Sequence, residues 1–272
     1  MSRIDLIIVP DLYTSYRQLT TYLEQEDYTD FFLSQPMHLE DYLLDLTQGM
    51  GYREFINRIR SQKLIPEPVN SWRYPLEPLL TSLPALKNEQ EDLTLHCYIS
   101  SSYHRLRMAK ASELALLTLR SNITQKIDVQ AWKTTIQEWL NQKPKELPKE
   151  VDFIDQKAGE KPVCVVSSNG RILQNLLKEK GHTVTRKKVE QCYHPKPLRI
   201  LEDRLKKEGE ISQEEIKELI KEQLEYIQDY VFKYQNLDQA HWKWSWDKFS
   251  DVRGRYDPQD IEMLGHIRLM EL

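Results

Sequence analysis

Lys161 to Val189 reads KPVCVVSSNGRILQNLLKEKGHTVTRKKV, and the chain's architecture follows from it. Val163 to Val166 is a short apolar, β-branched run that stops at Ser167-Ser168-Asn169-Gly170. Ile172, Leu173, Leu176 and Leu177 then recur at helical spacing. Gly181 follows the last periodic residue, where a left-handed cap belongs, and Thr183-Val184-Thr185 starts a second strand. Strand, tight turn, helix and strand make one right-handed unit of a parallel sheet. Ligands of open α/β sheets sit at the carboxyl ends of strands, which is where Ser167 to Gly170 fall.

Working outward, residues 5 to 33 repeat the pattern. Asp5 to Val9 is a buried-type strand stopped by Pro10, Ser15 is placed to cap a helix carrying Leu19, Tyr22 and Leu23, and Thr29 to Leu33 is a second strand. Leu93 to Ile99 is a third, closed by Ser100-Ser101-Ser102. The expected fold is therefore α/β, Rossmann-like: a mostly parallel sheet from segments 5–9, 29–33, 93–99, 163–166 and 183–186. Helices should cover both faces, because these strands are continuous apolar runs without alternation. Helix should exceed strand by well over two to one. The sheet domain should span residues 1 to 190, followed by a helical, Trp-rich region from 191 to 272. Five prolines between Pro66 and Pro84 suggest an extended connection broken by short helices, and Lys143 to Lys149, KPKELPK, a charged, proline-broken surface one. Helices are expected from Leu198 to Lys207 and, behind a Ser212/Glu215 capping box, up to about Tyr234.

Bulk composition narrows the function classes. The 272 residues carry a net charge of −4 and 29% charged side chains, so no global basic field argues for nucleic acid. Three scattered cysteines suit a reducing compartment. No apolar run approaches the length of a membrane span, and the opening MSRIDLIIVPDL has no long apolar core with a cleavage site. A cytoplasmic protein with no membrane contact is expected. Eight glycines, with neither G-x-G-x-x-G nor a P-loop, argue against a nucleotide site, and no cofactor is expected.

Candidate chemistry is sparse, and each candidate has an ordinary structural alternative. The turn Ser167 to Gly170 presents N–H groups to an anion or is a plain helix cap. Arg105 and Arg107, just past the third strand, clamp an anion in the sheet crevice or pair with acids such as Glu113. Ser167, Asn169, Arg105 and Arg107 are thus the anion-binding candidates, and Asp11, Tyr13 and Arg107 are the catalytic set of an enzyme reading, with Asp11 as general base. His96, Cys97 and His104, and likewise His182, Cys192 and His194, lack metal-ligand spacing, so no metal site is expected, and G-x-S-x-G is absent. Arg186, Lys187, Lys188, Arg199 and Arg204 are the nucleic-acid candidates, though Glu202, Asp203, Glu208 and Glu210 interleave with the last of them. Trp242, Trp244 and Trp246 alternate as on a strand with one aromatic face, which suits a protein partner, base stacking or a satellite core.

The order of elements, together with Arg107-Met108-Ala109 after the third strand, resembles the TraB/ChaN/erythromycin-esterase superfamily over roughly residues 4 to 189. The family's catalytic signatures do not carry over. Pro10-Asp11-Leu12-Tyr13 stands where the family has a histidine, Ser34-Gln35 where it has a glutamate, and Ser167 to Gly170 where it has a Gly…His loop. The resemblance implies a member that has lost its hydrolytic or metal site. The leading expectation is a non-catalytic or catalytically degenerate α/β protein acting as a subunit of an assembly, with a protein partner. The alternatives are an enzyme on an anionic substrate in the sheet crevice, and a nucleic-acid-contacting subunit of a nucleoprotein complex.

Overall fold

The computed structural model describes residues 2–167, 170–206 and 211–271. In chain order these form β1 (Arg3–Ile8), α1 (Tyr13–Glu24), β2 (Asp30–Pro36), α2 (Glu40–Thr47), α3 (Tyr52–Ser61), α4 (Val69–Glu89) and β3 (Thr94–Ile99). Then come α5 (Ser101–Thr124), α6 (Val129–Lys157), β4 (Pro162–Val166), α7 (Gly170–Glu179), β5 (Thr183–Lys188) and α8 (Pro197–Lys206). The chain ends with α9 (Gln213–Glu225), continued by a π-helical turn at Tyr226–Val231, and α10 (Leu237–Lys248), α11 (Ser250–Arg253) and α12 (Pro258–Leu264). All five expected strands form, and helical residues outnumber strand residues by well over two to one.

Two compact units result. The first holds residues 1–104, 145–191 and 269–272, and the second holds 105–144 and 192–268. Gln191 is thus one crossing point between units, and Pro144 in the KPKELPK stretch is another. That stretch is not a loop, however, but lies inside α6. Burial explains it: Leu140, Leu147, Val151 and Ile154 are covered along the helix, and this offsets the bond that each internal proline removes. The same correction applies to residues 66–84. Pro75, Pro78 and Pro84 sit inside α4, whose Leu76, Leu79, Leu80, Leu83 and Leu86 are buried.

In the first unit the sheet is all parallel, in the order β3-β2-β4-β1-β5. The β1→β2 and β4→β5 crossovers run in opposite directions across it, so right-handed connections put α1 and α7 on opposite faces. The α1 side is the larger core, joining Ile7, Val9, Phe31, Leu33, Leu95, Cys97, Val163 and Val165 to the helices α1 to α4. β4 is buried throughout. β5 is an edge strand and runs on to Lys188, two residues past expectation, with Arg186 to Lys188 exposed as edge strands require. Gly181 has φ +91°, and the His182 N–H reaches back to Leu177 O at 3.1 Å, so the left-handed cap of α7 forms as expected. Ser15 does not cap α1. The helix begins at Tyr13 with Leu12 at its cap, and Ser15 is fully buried.

The second unit is helical. Leu114, Trp132, Ile136, Leu140, Leu201, Ile216 and Ile220 make its core, and Ser212 caps α9 by accepting from the Glu215 N–H at 3.1 Å. The final residue of the helix expected over Leu198–Lys207 lies outside the described residues.

Candidate functional site: the carboxyl end of the sheet

The first unit gathers polar groups where its strands end. After β1 the chain turns at Pro10 and an exposed Asp11, and α1 opens with Tyr13, whose ring lies 5.7 Å from that of Tyr74. β2 runs on to Gln35, whose amide oxygen accepts from Trp72 Nε1 at 3.2 Å. β3 ends in the serine cluster, where Ser100 and Ser102 hydroxyls share a hydrogen bond at 2.8 Å. β4 ends at an exposed Ser167. Gly170 then opens α7 against the sheet, and a Cβ there would meet the Ile8 side chain at 3.0 Å.

Two histidines flank this end. His38 and His104 rings lie 5.6 Å apart, edge to face. His38 is held by Leu64 O at 3.3 Å on Nε2, and its main-chain N–H donates to Ser101 Oγ at 3.3 Å. The hydroxyl is therefore bonded to the backbone of His38 and not to its ring, so the pair is not arranged as nucleophile and base. Among the described residues no three His, Cys, Asp or Glu side chains are placed to hold a metal ion. His96 and His182 are structural. His96 Nε2 pairs with Asp30 at 3.1 Å, and His182 bridges Asp155, at 2.9 Å, and the Ser2 N–H, at 3.2 Å.

The most developed polar constellation was not legible in the sequence. Arg73 and Glu77, four residues apart on α4, form a buried ion pair at 3.3 Å with side chains 4% and 3% exposed. The Tyr52 hydroxyl donates to Glu77 Oε2 at 2.9 Å, and burial followed by the Glu77 charge holds the phenol far above its ordinary pKa. The other Glu77 oxygen accepts from the Met270 N–H at 2.8 Å, while Arg73 donates to Met270 O. Arg53 adds a bond to Glu271 O at 3.0 Å. The i,i+4 spacing is the one available signal, and it means nothing if residues 66–84 are taken as extended.

The expected site residues belong to both units. Asp11, Tyr13 and Ser167 belong to the first unit, whereas Arg105 and Arg107 are exposed on the part of α5 that belongs to the second. Asn169 lies outside the described residues. Glu202 is the acid that feels Arg107: burial raises its pKa, opposed by Arg199, Lys206 and Arg107. Arg199 bridges Glu202 and Asp203 at 2.7 and 3.0 Å, and Arg204 approaches Glu215 at 3.8 Å. Of the strand residues, Lys187 turns to the Tyr22 hydroxyl, while Arg186 and Lys188 are exposed.

The tryptophan series lies on a helix, which corrects the strand reading. α10 is covered on nearly every side, with Asp238 to Trp242, Trp244 and Ser245 all buried, so alternate positions are buried without a strand's period. Trp242 and Trp244 are 3% and 4% exposed, enclosed by this chain's own residues. Tyr226, just past α9, meets Trp244 edge to face at 5.4 Å. No family model matches this chain, and comparison with curated proteins and with solved structures finds no match either.

Proposed function

We propose that this protein works as a non-catalytic subunit of an assembly, docking a partner through one face of α5. The observation that carries the reading is a line of exposed apolar side chains: Leu116, Leu119 and Ile123 are 66%, 56% and 73% exposed. Their i, i+3, i+7 spacing makes one seam about 10 Å long, the pattern that an amphipathic helix uses when it lies against a partner. Apolar side chains contiguous on a surface, and not scattered singly, mark interaction sites. Beside the seam, Leu116, Leu117, Ala131 and Thr134 line a groove together with Arg120, Asp128 and the acids Glu113 and Glu138, which share Lys110. The occupant that fits is a partner helix with an apolar face.

The sheet end supports the same reading, because its buried polar groups Tyr52, Arg73 and Glu77 hold the chain's own backbone. Asp11, the general base of the enzyme reading, is exposed to solvent. Among the described residues no helix is long and apolar enough to cross a membrane.

The test is sedimentation of the tagged full chain in extracts of its own source. It should travel well above its 32.4 kDa monomer. Leu119→Asp and Ile123→Asp should each return it to the monomer with an unchanged melt, since both positions are exposed. A monomer in the extract, or a heavy species that survives both substitutions, overturns the reading. A dimer of the pure chain dissolved by Leu119→Asp gives the seam to a second copy and removes the foreign helix.

A further inference from the structure

We infer that Tyr52, Arg73 and Glu77 form a binding site for an extended peptide main chain, with the chain's own C-terminal residues as its resident occupant. Both polar groups of one peptide residue are read at once: the Met270 N–H by Glu77 and the Met270 carbonyl by Arg73. In an extended chain the N–H and C=O of one residue point to the same side, so a single buried acid–base pair reads them as a neighbouring strand would. The Met270 side chain is meanwhile 53% exposed. The site therefore recognises backbone and tolerates sequence. Leu269 to Glu271 form no helix or strand, and Arg53, itself exposed, supplies a further bond, to Glu271 O.

The pair's burial points the same way. A buried Arg–Glu pair repays its desolvation only when the remaining donors and acceptors are bonded. Glu77 uses both oxygens, on Tyr52, Arg73 and Met270. Arg73 Nε remains buried without a hydrogen-bond partner. An arriving segment would meet a rigid donor–acceptor pair fixed on α4, at the cost of releasing Met270.

The probe is a fluorescein-labelled peptide of residues 266–272, HIRLMEL, added to the full-length protein. The parent should bind it weakly, because the tethered tail competes at high local concentration. Met270→Pro, which removes the N–H bonded to Glu77, should bind the added peptide about tenfold more tightly than the parent, and Glu77→Gln in that background should lose about tenfold again, the size of a hydrogen bond to a charged group. A scrambled peptide should bind within a few-fold of HIRLMEL, whereas HIRLMEL N-methylated at every residue, which leaves no register with a free N–H, should bind about tenfold less tightly. If Met270→Pro does not fold, Met270→Gly makes the tail's own backbone costlier to order while leaving the site intact, and should raise peptide affinity over the parent. Sedimentation of the parent separates the sources of the peptide. A concentration-dependent dimer abolished by Met270→Pro assigns the site to a second copy's tail, and a persistent monomer assigns it to a segment of another protein. Equal affinity of parent, Met270→Pro and Met270→Gly for HIRLMEL, or no loss on N-methylation at every residue, overturns the inference.

Discussion

The Tyr28 hydroxyl donates to Asp5 Oδ2 at 3.1 Å, tying the residues just before β2 to the middle of β1 across the intervening β4. Asp5 faces the α1 side of the sheet, where Tyr22 also donates to it at 3.3 Å and Thr185, its register partner on β5, bonds its other oxygen. Burial pushes the Asp5 pKa up, but the bonds from Thr185 and Tyr28, the Lys187 charge and the Tyr22 bond outweigh that and leave it below its ordinary value. A lone carboxylate thus fastens the edge strand β5 to the sheet.

Tyr28→Phe should therefore cost about 1 kcal/mol, one ordinary hydrogen bond, and Asp5→Ala about 2 to 3 kcal/mol, because it removes the acceptor of the Tyr28, Tyr22 and Thr185 hydroxyls at once. The sign with pH follows from the lowered pKa: the contribution is present above the ordinary carboxylate range and is lost as pH falls through the folded value. Urea unfolding at pH 7 and at about pH 2, below the ordinary carboxylate value, checks both points. The gap between parent and Asp5→Asn should narrow at the lower pH, and a constant gap would remove the electrostatic account.

Asp30 makes a second prediction on the other side of the sheet. One of its oxygens takes His96 Nε2 at 3.1 Å, and the other takes Gly159 N–H at 2.9 Å and Thr29 Oγ at 2.8 Å. Gly159 is needed for that approach, since a Cβ there would stand 2.5 Å from Asp30 Oδ2. Gly159→Ala should lower stability by about 2 kcal/mol through the displaced carboxylate. Asp30→Ala should cost about as much by leaving a buried ring nitrogen unpaired. Because both act through one network, the double variant should fall short of the sum of the two. Additive losses in thermal melts would show that the glycine serves something else.

A third prediction concerns acid. His241 is fully buried in the second unit, stacked on Tyr193 at 4.8 Å and beside Trp242 and Trp244, with Ser245 Oγ 3.4 Å from Nε2. Burial, then the charges of Lys196 and His194, drives its pKa well below the ordinary histidine value. A lowered histidine pKa means that the unfolded chain binds the extra proton. Stability should hold above about pH 6.5 and fall below it, by at most about 1.4 kcal/mol per pH unit. Between pH 7.5 and pH 5.5 the parent should lose about 1 kcal/mol more than His241→Gln, measured by denaturant unfolding. Equal losses would mean that His241 is protonated in the folded chain.

What was legible in the sequence was set by periodicity that the fold left undisturbed. β4, buried on both faces, showed as the unbroken run Val163 to Val166, and α7 kept one apolar face through Leu173 and Leu177, so the unit from Lys161 to Val189 was read almost residue for residue. α4 and α6 are hidden because proline is a local signal of a chain break, whereas burial of Leu76 to Leu86 and of Leu147 to Ile154 decides the outcome. The candidate site was hidden with them. Arg73 and Glu77 acquire meaning only when they share a helix face, and their partner Met270 is 193 residues away. The seam on α5 was missed for a different reason: apolar residues nearly all round that helix mask which face is uncovered, and only the packed core at Leu114 separates it from Leu116, Leu119 and Ile123.

The last prediction ranks the tryptophans. Trp244 is 4% exposed and packs edge to face against Tyr226 and Phe249, each at 5.4 Å, so Trp244→Ala should cost about 3 to 5 kcal/mol, the range for deleting a large aromatic from a core. Trp246 is only partly covered, and Lys243 Nζ lies 4.8 Å over its ring. Trp246→Ala should cost about 1 kcal/mol, the share left when half-exposed area and one surface cation–π contact are lost. Arg107 is exposed on α5, and Arg107→Ala should stay within about 0.5 kcal/mol of the parent. Thermal melts of the three full-length variants give the order directly. Because α10 is internal to the second unit, Trp244→Ala should weaken assembly only in step with stability, while Leu119→Asp should abolish assembly with the melt unchanged. If Trp244→Ala left the melt alone and removed the partner, the docking surface would be α10 and not the seam on α5.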